Sequence, residues 1–356
     1  KGLVNLIASL EGTSKKPNFV LNAHMDVFPA EIGKPWDFPP YGGEVREDRI
    51  LGRGAVDMKG GMTASLFAFT LLKDLNITVP GKVTLMLVSD EETGGRWGTE
   101  WVLKNVPESC GDACLNGEPT GMDQMSIGEK GTNALKLTAS GHPQHAAYKL
   151  LTLNGNAIVK MAKALVAAEM LQQTKVTIPS DIKQLIEDTK LVTEAQLGKG
   201  RGMNVDRVLV NAGTIKGGVK LNIVPALCEA ELDIRVPWGV TTEQIRLDLE
   251  KKFKEAGAGD VHYEFIHRNE ATYTSPSDRL VEIVRSNVKL QSGKVPRLTV
   301  KPGATDVRFF RRRGVPGVNV GPRNYGMGEV NEYATVDDVL KVTAVHAGTI
   351  IDYFSL

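Results

Sequence analysis

Acidic residues and one histidine follow two short apolar segments of the chain, at the point where each segment ends. His24 and Asp26 come at the end of the segment 18–23, and Glu91 and Glu92 come at the end of the segment 82–89. Both segments have the composition of buried strands. Because side chains alternate along a strand, His24 and Asp26 point to the same side. One of the two can bind a metal ion while the other fixes the imidazole tautomer.

Asp57 lies in a glycine-bracketed turn, residues 52–61, just before an apolar segment, 58–73, with helical periodicity. Glycines on both sides let the backbone approach a bound ion closely. A helix over 58–73 would fix the Asp57 carboxylate at its N-terminal end. The turn lacks the glycine spacings of phosphate-binding loops. Asp57 is therefore a candidate bridging metal ligand, and the alternative for this residue taken alone is a helix cap.

Two further sets of carboxylates belong with these residues. Glu91 and Glu92 are adjacent on a turn, so one can face an ion while its neighbour acts as a general base on water. Glu118 stands in the polar sequence 116–120. Taken singly, each of these glutamates has a solvated acidic turn as its alternative. Together with His24 and Asp57, they indicate a metal-dependent hydrolytic site.

These residues resemble those of the co-catalytic zinc hydrolase family of acetylornithine deacetylase, succinyl-diaminopimelate desuccinylase, aminoacylase and glutamate carboxypeptidase. The resemblance covers nearly the whole chain, and its later motifs are residues 141–145, 221–225, 303–306 and 331–333. It implies an α/β fold with a catalytic domain, whose central mixed sheet is flanked by helices, and an inserted α+β lid domain. The catalytic domain would comprise residues 1–129 and 272–356, and the lid residues 130–271. Such proteins often dimerise through the lid, so the resemblance also implies a homodimer.

The resemblance further implies how the metal ligands are shared. His24, Asp57 and Glu118 would hold one ion, and Asp57 and Glu92 would hold the second. Glu91 would be the general base. The implied metal is Zn²⁺, as one or two ions.

Other residues match the family's supporting groups. Asp26 would be the carboxylate behind His24. His145 resembles an oxyanion donor that reaches into the partner's active site, and its alternative is a helix-entry residue. Asn222 resembles a substrate-binding residue of the lid. Arg268 resembles the arginine that binds the substrate carboxylate, a task suited to a planar guanidinium.

One position departs from the family pattern. The family's second-site histidine stands three residues before the Asn-Glu pair, and Gly328 occupies that position here. The second ion would keep Asp57 and Glu92 and lose its imidazole, unless Glu329 supplies an oxygen ligand. We therefore expect one tight ion and a weaker or absent second. Oxygen ligands favour a harder ion such as Mn²⁺, and Co²⁺ is a further candidate.

The elements that must position these residues form a strand-helix-strand unit. Segments 18–23 and 82–89 are the predicted strands, and 58–73 is the helix between them. Ligands of such sheets gather at the carboxyl edges of the strands, where His24 and the acidic residues fall. Further along, the pattern predicts strands at 134–139, 208–215, 221–235 and 317–321, and helices at 156–171, 242–255, 278–290, up to 313, and from 335 onward, with the polar stretch 172–204 unassigned.

Composition excludes several classes of partner. The 43 Lys and Arg residues against 42 Asp and Glu residues leave a net charge of +1, so no overall field favours nucleic acid or an anionic membrane. No apolar segment approaches the roughly 20 residues of a membrane span. We expect a small-molecule substrate. The three cysteines are too few and too scattered for a disulfide framework, which favours a reducing cytoplasm.

The predicted function is hydrolysis of an amide-type C–N bond in a small substrate that carries a carboxylate, as in an N-acyl amino acid deacylase, a dipeptidase or a carboxypeptidase. The missing imidazole leaves a single-metal aminohydrolase or deaminase as one alternative. A binding protein that keeps the fold without turnover is the other. The adjacent Glu91 and Glu92 argue against it, because a binding protein needs no general base.

Overall fold

Two units divide the chain, and each has its own sheet. The computed structural model describes residues 2–30, 35–149 and 155–355. The first unit comprises residues 1–129, 273–301 and 305–356, and the second comprises 130–272 and 302–304. The first boundary between the units, 129/130, is the expected one. The second lies at 272/273, one residue beyond the expected 271/272. Residues 31–34 and 150–154 of the expected domains lie outside the described residues.

Fifteen strands and eight α-helices are numbered along the described chain. The strands are β1 (Leu6–Glu11), β2 (Asn18–His24), β3 (Glu44–Arg46), β4 (Arg49–Leu51), β5 (Lys82–Val88), β6 (Ala113–Asn116), β7 (Gln124–Glu129), β8 (Gly131–Ser140), β9 (Leu209–Gly217), β10 (Leu227–Val236), β11 (His262–Arg268), β12 (Thr272–Tyr273), β13 (Arg297–Lys301), β14 (Gly317–Asn319) and β15 (Tyr333–Thr335). The helices are α1 (Gly60–Asp74), α2 (Thr99–Asn105), α3 (Ala157–Glu169), α4 (Lys183–Leu197), α5 (Thr242–Glu255), α6 (Arg279–Ser292), α7 (Val307–Arg311) and α8 (Val336–Ser355).

The main sheet of the first unit is mixed, as expected. Its order is β1-β5-β2-β6-β14-β7-β12, with β13 beside β7. Strand β2 runs parallel to both β5 and β6. Parallel strands end at the same edge of a sheet, so the residues that follow β2, β5 and β6 are brought together there.

Helices cover both faces of this sheet. The ring of Phe19 packs edge-on against Tyr353 of α8, with centroids 5.0 Å apart. The next residue, Val20, points to the other face and packs with Val102 of α2 and Phe310 of α7. This alternation follows from the two-residue period of a strand. The prediction of a central mixed sheet flanked by helices is confirmed.

The turn before α1 differs from the prediction. Helix α1 begins at Gly60 rather than at Met58, and residues Ala55–Lys59 form a single wide turn ahead of it. Asp57 has a non-helical backbone there, with φ −115° and ψ 96°. The residue that caps α1 is Lys59. The helix-cap alternative for Asp57 is therefore wrong, and its carboxylate projects from an irregular turn.

The second unit is built on an antiparallel sheet of order β11-β8-β10-β9. Inward side chains of β8 and β10 alternate with outward ones, and α3 and α5 pack on the inward face. Strand β10 begins at Leu227, whereas a strand from residue 221 was expected. Helix α4 lies in the stretch 172–204, for which no element was predicted. Few of its side chains are buried, so its sequence shows only a weak periodic pattern of apolar residues.

Among the described residues, no helix is long and apolar enough to cross a membrane.

Candidate metal centre

His24 is the last residue of β2, and its imidazole is buried at the carboxyl edge of the main sheet. Its Nε2 lies 3.0 Å from Oδ1 of Asp57 and 3.4 Å from Oε1 of Glu118. Its Nδ1 lies 3.0 Å from the main-chain oxygen of Asp26. A carbonyl oxygen can only accept, so Nδ1 carries a hydrogen, and Nε2 is the ring nitrogen that is left to bind a metal ion. The imidazole thus presents Nε2 as a ligand atom toward two carboxylates.

Asp26 contacts both the imidazole of His24 and the turn that carries Glu91 and Glu92. Its carboxylate lies 3.6 Å from Nδ1 of His24, so the imidazole is held chiefly by the main chain. The two carboxylate oxygens accept the amide hydrogens of Glu91 at 3.2 Å and of Glu92 at 3.0 Å. Asp26 therefore joins the end of β2 to the turn that carries both glutamates.

Glu332 fixes the turn of Asp57 from the far end of the chain. Its Oε1 accepts the amide hydrogens of Val56 at 2.9 Å and of Asp57 at 3.2 Å. Its Oε2 lies 2.5 Å from Nη1 of Arg53, and both side chains are almost fully buried. The pairing of β15 with β4 brings Glu332 to this place. This buried pair holds the ligand turn in one conformation.

Glu118 is placed by a row of buried hydrogen bonds. Its amide donates to Oδ1 of Asn116, and the Asn116 amide group donates to Asn22 of β2. Asn22 donates to Thr99, which in turn donates to Asp306 at 2.9 Å. These hydrogen bonds connect β6 to β2 and β2 to α2. They fix Glu118 relative to His24, two residues beyond Asn22 on the same strand.

The donors form two overlapping groups. One consists of His24, Asp57 and Glu92, and the other of His24, Glu91 and Glu118, with the ligand atoms of each group within 4.8 Å of one another. In this arrangement Asp57 and Glu118 belong to different groups that share the imidazole. Oε1 of Glu92 is buried and has no hydrogen-bond partner among the described residues. Nitrogen and oxygen donors around an unsatisfied buried carboxylate fit a divalent ion such as Zn²⁺ or Mn²⁺.

Burial and like charges perturb the acids of this centre. Burial, and then repulsion from Asp57, raises the pKa of Glu92 to about 8. Burial, and then repulsion from Asp306, raises the pKa of Glu91 well above its usual range, although Arg308 opposes this. Both shifts result from several carboxylates lying close together in a poorly solvated place.

The other two groups shift toward their charged forms. Burial would raise the pKa of Glu118, but Lys301 and His24 outweigh it and lower the pKa to about 2. Burial would lower the pKa of His24, but hydrogen bonds to Asp26, Asp57 and Glu118 outweigh it and raise the pKa well above its usual range.

Two basic residues of this centre were not predicted. Nζ of Lys301, at the end of β13, lies 2.8 Å from Oε2 of Glu118. Nη1 of Arg308, in α7, lies 3.3 Å from Oε1 of Glu91. No local sequence signal distinguishes these two from surface cations. The GATD motif at 303–306, which lies between them, was the nearest available signal.

Gly328 has a left-handed backbone, with φ +76°. A Cβ at this position would have open space around it. The loop is nevertheless held, because Nη2 of Arg53 donates to the Gly328 oxygen at 3.2 Å and Asn331 exchanges two hydrogen bonds with Asp37. Glu329 is exposed and belongs to neither donor group.

The second unit brings His145 and Asn222 together. Nδ1 of His145 accepts the amide hydrogen of Ala147 at 3.2 Å. Nε2 lies 3.2 Å from the amide group of Asn222, and a short bridge pairs His145 with Ile223. The helix-entry alternative also holds, since His145 caps the single turn that follows it.

Arg268 is occupied within its own unit. Its Nη2 lies 3.4 Å from Oε2 of Glu243, and its guanidinium lies over the ring of Phe265 at 4.5 Å. The side chain is about half exposed. A substrate carboxylate would have to compete with Glu243 for it.

A profile of the Peptidase family M20/M25/M40 matches residues 20–352, which is most of the chain. The chain belongs to this family. The predicted family resemblance is confirmed, and the chain is accordingly a metal-dependent M20 hydrolase that acts on amide-type C–N bonds.

Curated M20 relatives match the chain along its length. It is 29% identical to the succinyl-diaminopimelate desuccinylase of Rhodospirillum centenum, and the match covers 99% of the chain and 84% of the relative. It is 28% identical to the succinyl-diaminopimelate desuccinylase of Roseobacter denitrificans, with 99% and 88% covered.

Solved M20 structures share the fold. The metallo-carboxypeptidase Sso-CP2 from Sulfolobus solfataricus superimposes with a TM-score of 0.82 at 21% identity, over 99% of this chain and 88% of that one. The di-peptidase Dug1p from Saccharomyces cerevisiae gives a TM-score of 0.76 at 15% identity, over 99% and 83%.

Proposed function

We propose that this M20 hydrolase is a deacylase that removes a carboxylate-bearing acyl group, such as succinyl, from the nitrogen of an amino acid. The observation that carries the proposal is the pair of donor groups that share His24, one of which contains Glu91. The acyl preference is supported by the two desuccinylase relatives, which match along nearly the whole chain.

We further propose that His24, Asp57, Glu92 and Glu118 hold the metal. The ion supplies Lewis acidity, which polarises the scissile carbonyl and makes water easier to deprotonate. Zn²⁺ is the expected ion, with Mn²⁺ or Co²⁺ as alternatives. Glu329 would join only if its loop moved, because the side chain is exposed.

Glu91 would move the proton. Its carboxylate takes a proton from the attacking water and returns it to the nitrogen of the leaving amine. Asp26 supports this by holding the Glu91 amide, and Arg308 by holding one carboxylate oxygen. The general base thus stands on a turn that is fixed at both its backbone and its side chain.

The polar groups of the second unit would bind substrate. His145 would donate a ring N–H to a developing oxyanion. Asn222 orients that ring and would contact substrate alongside it. Arg268 would bind the substrate carboxylate after release from Glu243.

We also propose a homodimer formed through the second unit. Strand β9 is the edge of its sheet, and most of its residues are exposed. Ile215 on β9 is 53% exposed and Val166 on α3 is 68% exposed. An exposed apolar edge strand favours pairing with another chain. Analytical ultracentrifugation of Ile215→Lys beside the wild type tests this, and an unchanged dimer would move the interface elsewhere.

A cytoplasmic location remains our proposal. All three cysteines, Cys110, Cys114 and Cys228, are free. Free thiols fit a reducing compartment.

The function is tested by turnover on matched substrates. The metal-loaded protein is assayed on N-succinyl and N-acetyl forms of one amino acid and on dipeptides that contain it. We expect the N-succinyl substrate to give the highest kcat/KM. A dipeptide as the best substrate would overturn the acyl preference, and turnover of none of them would overturn deacylation.

A further inference from the structure

Lys301 is a largely buried cation beside the candidate metal centre. It is the last residue of β13, and its side chain is only 19% exposed. Its ammonium lies 2.8 Å from Oε2 of Glu118, whose own side chain is 7% exposed. Burial of both partners sets this ion pair apart from the solvated pairs of the surface, which contribute little.

The two carboxylate oxygens of Glu118 have different partners. Oε2 faces Lys301, and Oε1 faces Nε2 of His24 at 3.4 Å. A carboxylate held in this way offers one oxygen to an ion beside His24. The ammonium thereby sets the way in which Glu118 can act as a ligand.

The charges of the centre explain why a fixed cation is needed there. The carboxylates of Asp57, Glu91, Glu92 and Glu118 surround one imidazole. A second divalent ion would offset them, but Gly328 stands where the family resemblance implies an imidazole ligand for that ion. Lys301 contributes one positive charge that cannot dissociate from the protein. A positive charge this close also raises the free energy of any further cation in the centre.

We propose that Lys301 is a fixed cation of the metal centre, which limits Glu118 to one ligand oxygen and takes the place of a tightly bound second divalent ion. It is a positioning residue, since it acts on the reaction through Glu118. The inference rests on the proposed use of His24 and Glu118 as ligands. Lys301 thereby offsets part of the negative charge of a centre that lacks the second imidazole.

The test measures binding of a second ion to protein that already holds one. Wild type and Lys301→Met are loaded with one equivalent of Zn²⁺ and titrated with more Zn²⁺ by calorimetry. We expect Lys301→Met to bind the second ion at least about tenfold more tightly, because a nearby positive charge is gone. Lys301→Arg keeps the charge and should bind the second ion as weakly as the wild type.

A matched control removes a lysine of another Lys–Glu pair. Lys136 lies 2.7 Å from Oε1 of Glu229 on the sheet of the second unit, and both are partly exposed. Lys136→Met changes the net charge by the same amount and should leave the affinity for the second Zn²⁺ ion unchanged. Thermal melting of each metal-loaded variant shows whether it is folded.

Two results would overturn the proposal. One is that folded Lys301→Met binds the second Zn²⁺ ion no more tightly than the wild type does. The other is that Lys136→Met binds the second ion more tightly by the same factor as Lys301→Met. If Lys301→Met does not fold, the same titration of Lys301→Gln decides. Because these measurements record ion binding alone, failure of the deacylase proposal would appear separately, as absent turnover on the N-succinyl substrate.

Discussion

Nη1 of Arg308 lies 3.3 Å from Oε1 of Glu91, so the candidate general base is held by a buried cation. A second nitrogen of the same guanidinium donates to the main-chain oxygen of Gly94 at 2.8 Å. Arg308 thereby ties α7 to the turn after β5. The carboxylate that we propose as the proton acceptor is thus kept in place before substrate arrives, as catalysis by a preorganised group requires.

Glu91→Gln should remove most turnover while metal binding is kept. Glutamine fills the same space but cannot accept the proton, and loss of a general base costs about 10²-fold or more in kcat. The assay uses the N-succinyl substrate with protein whose metal content is measured. Glu100→Gln, an exposed change on α2, is the control. Near-normal turnover of the metal-replete Glu91→Gln protein would show that another group is the base.

Glu332→Ala should destabilise the first unit and weaken metal binding together. The change leaves the buried Arg53 unpaired, which costs about 3–5 kcal/mol. It also removes the acceptor for the Asp57 amide. Urea unfolding of metal-free protein and a metal titration measure the two effects. An unchanged metal affinity in folded Glu332→Ala would show that the Asp57 turn holds its conformation without this anchor.

Gly328→His should not restore the second metal site. The left-handed backbone at Gly328 costs a side chain about 1–2 kcal/mol, and Arg53 holds the loop in this conformation. Gly328→Ala carries the same backbone cost without the imidazole and is the matched control. We expect both variants to bind the second ion as weakly as the wild type. Tighter binding by Gly328→His than by Gly328→Ala would show that the loop rearranges to use the imidazole.

Mixing two inactive variants tests whether His145 acts across a dimer. Glu91→Gln subunits and His145→Ala subunits are each expected to be inactive. A mixed dimer would combine one intact Glu91 with one intact His145 in a single active site, so activity should return. Hybrid dimers are verified by differential tagging. If verified hybrids stay inactive, His145 does not act in trans.

His346 should make stability fall in mild acid. Burial lowers the pKa of this histidine to about 4, against the opposing hydrogen bond to Val320. The pKa in the unfolded chain is about 6.5, so between these values the unfolded state binds more protons and stability falls as the pH falls. The expected loss from this group between pH 7 and pH 5 is about 2 kcal/mol.

The measurement compares urea unfolding of wild type and His346→Gln at both pH values, in the presence of a chelator so that metal release does not contribute. His346→Gln should lose less stability on acidification than the wild type does. His262→Gln replaces an exposed histidine and should behave as the wild type. Equal losses in all three proteins would remove His346 as the cause.

The sequence predicts those parts of the fold and site whose signal is local. Apolar segments followed by His24 and by Glu91 are short patterns, and parallel pairing of the two strands brings these residues to one edge. Lys301 and Arg308 could not be predicted in this way, because they lie 183 and 217 residues from their partners. Strand and helix periodicity contains no information on which distant side chain will reach a buried carboxylate.

Two errors have physical causes of the same kind. The start of α1 was misplaced because Asp57 takes its conformation from the amide acceptor Glu332, which lies far along the chain. Helix α4 was missed because its outward residues are polar and its buried residues, such as Leu185 and Ile186, are few. Both depend on packing partners that a local window does not contain.

The hydrogen bond between the Asp57 amide and Glu332 joins residues 275 positions apart. During synthesis, the N-terminal strands leave the ribosome long before the segment that carries Glu332, and domains generally fold from the N-terminal side. A nascent chain that ends in the second unit already contains His24, Asp57, Glu92 and Glu118, but it lacks Glu332, Lys301 and Arg308. The contacts that hold the turn of Asp57 in place are therefore completed only when the segment that carries Glu332 has been translated.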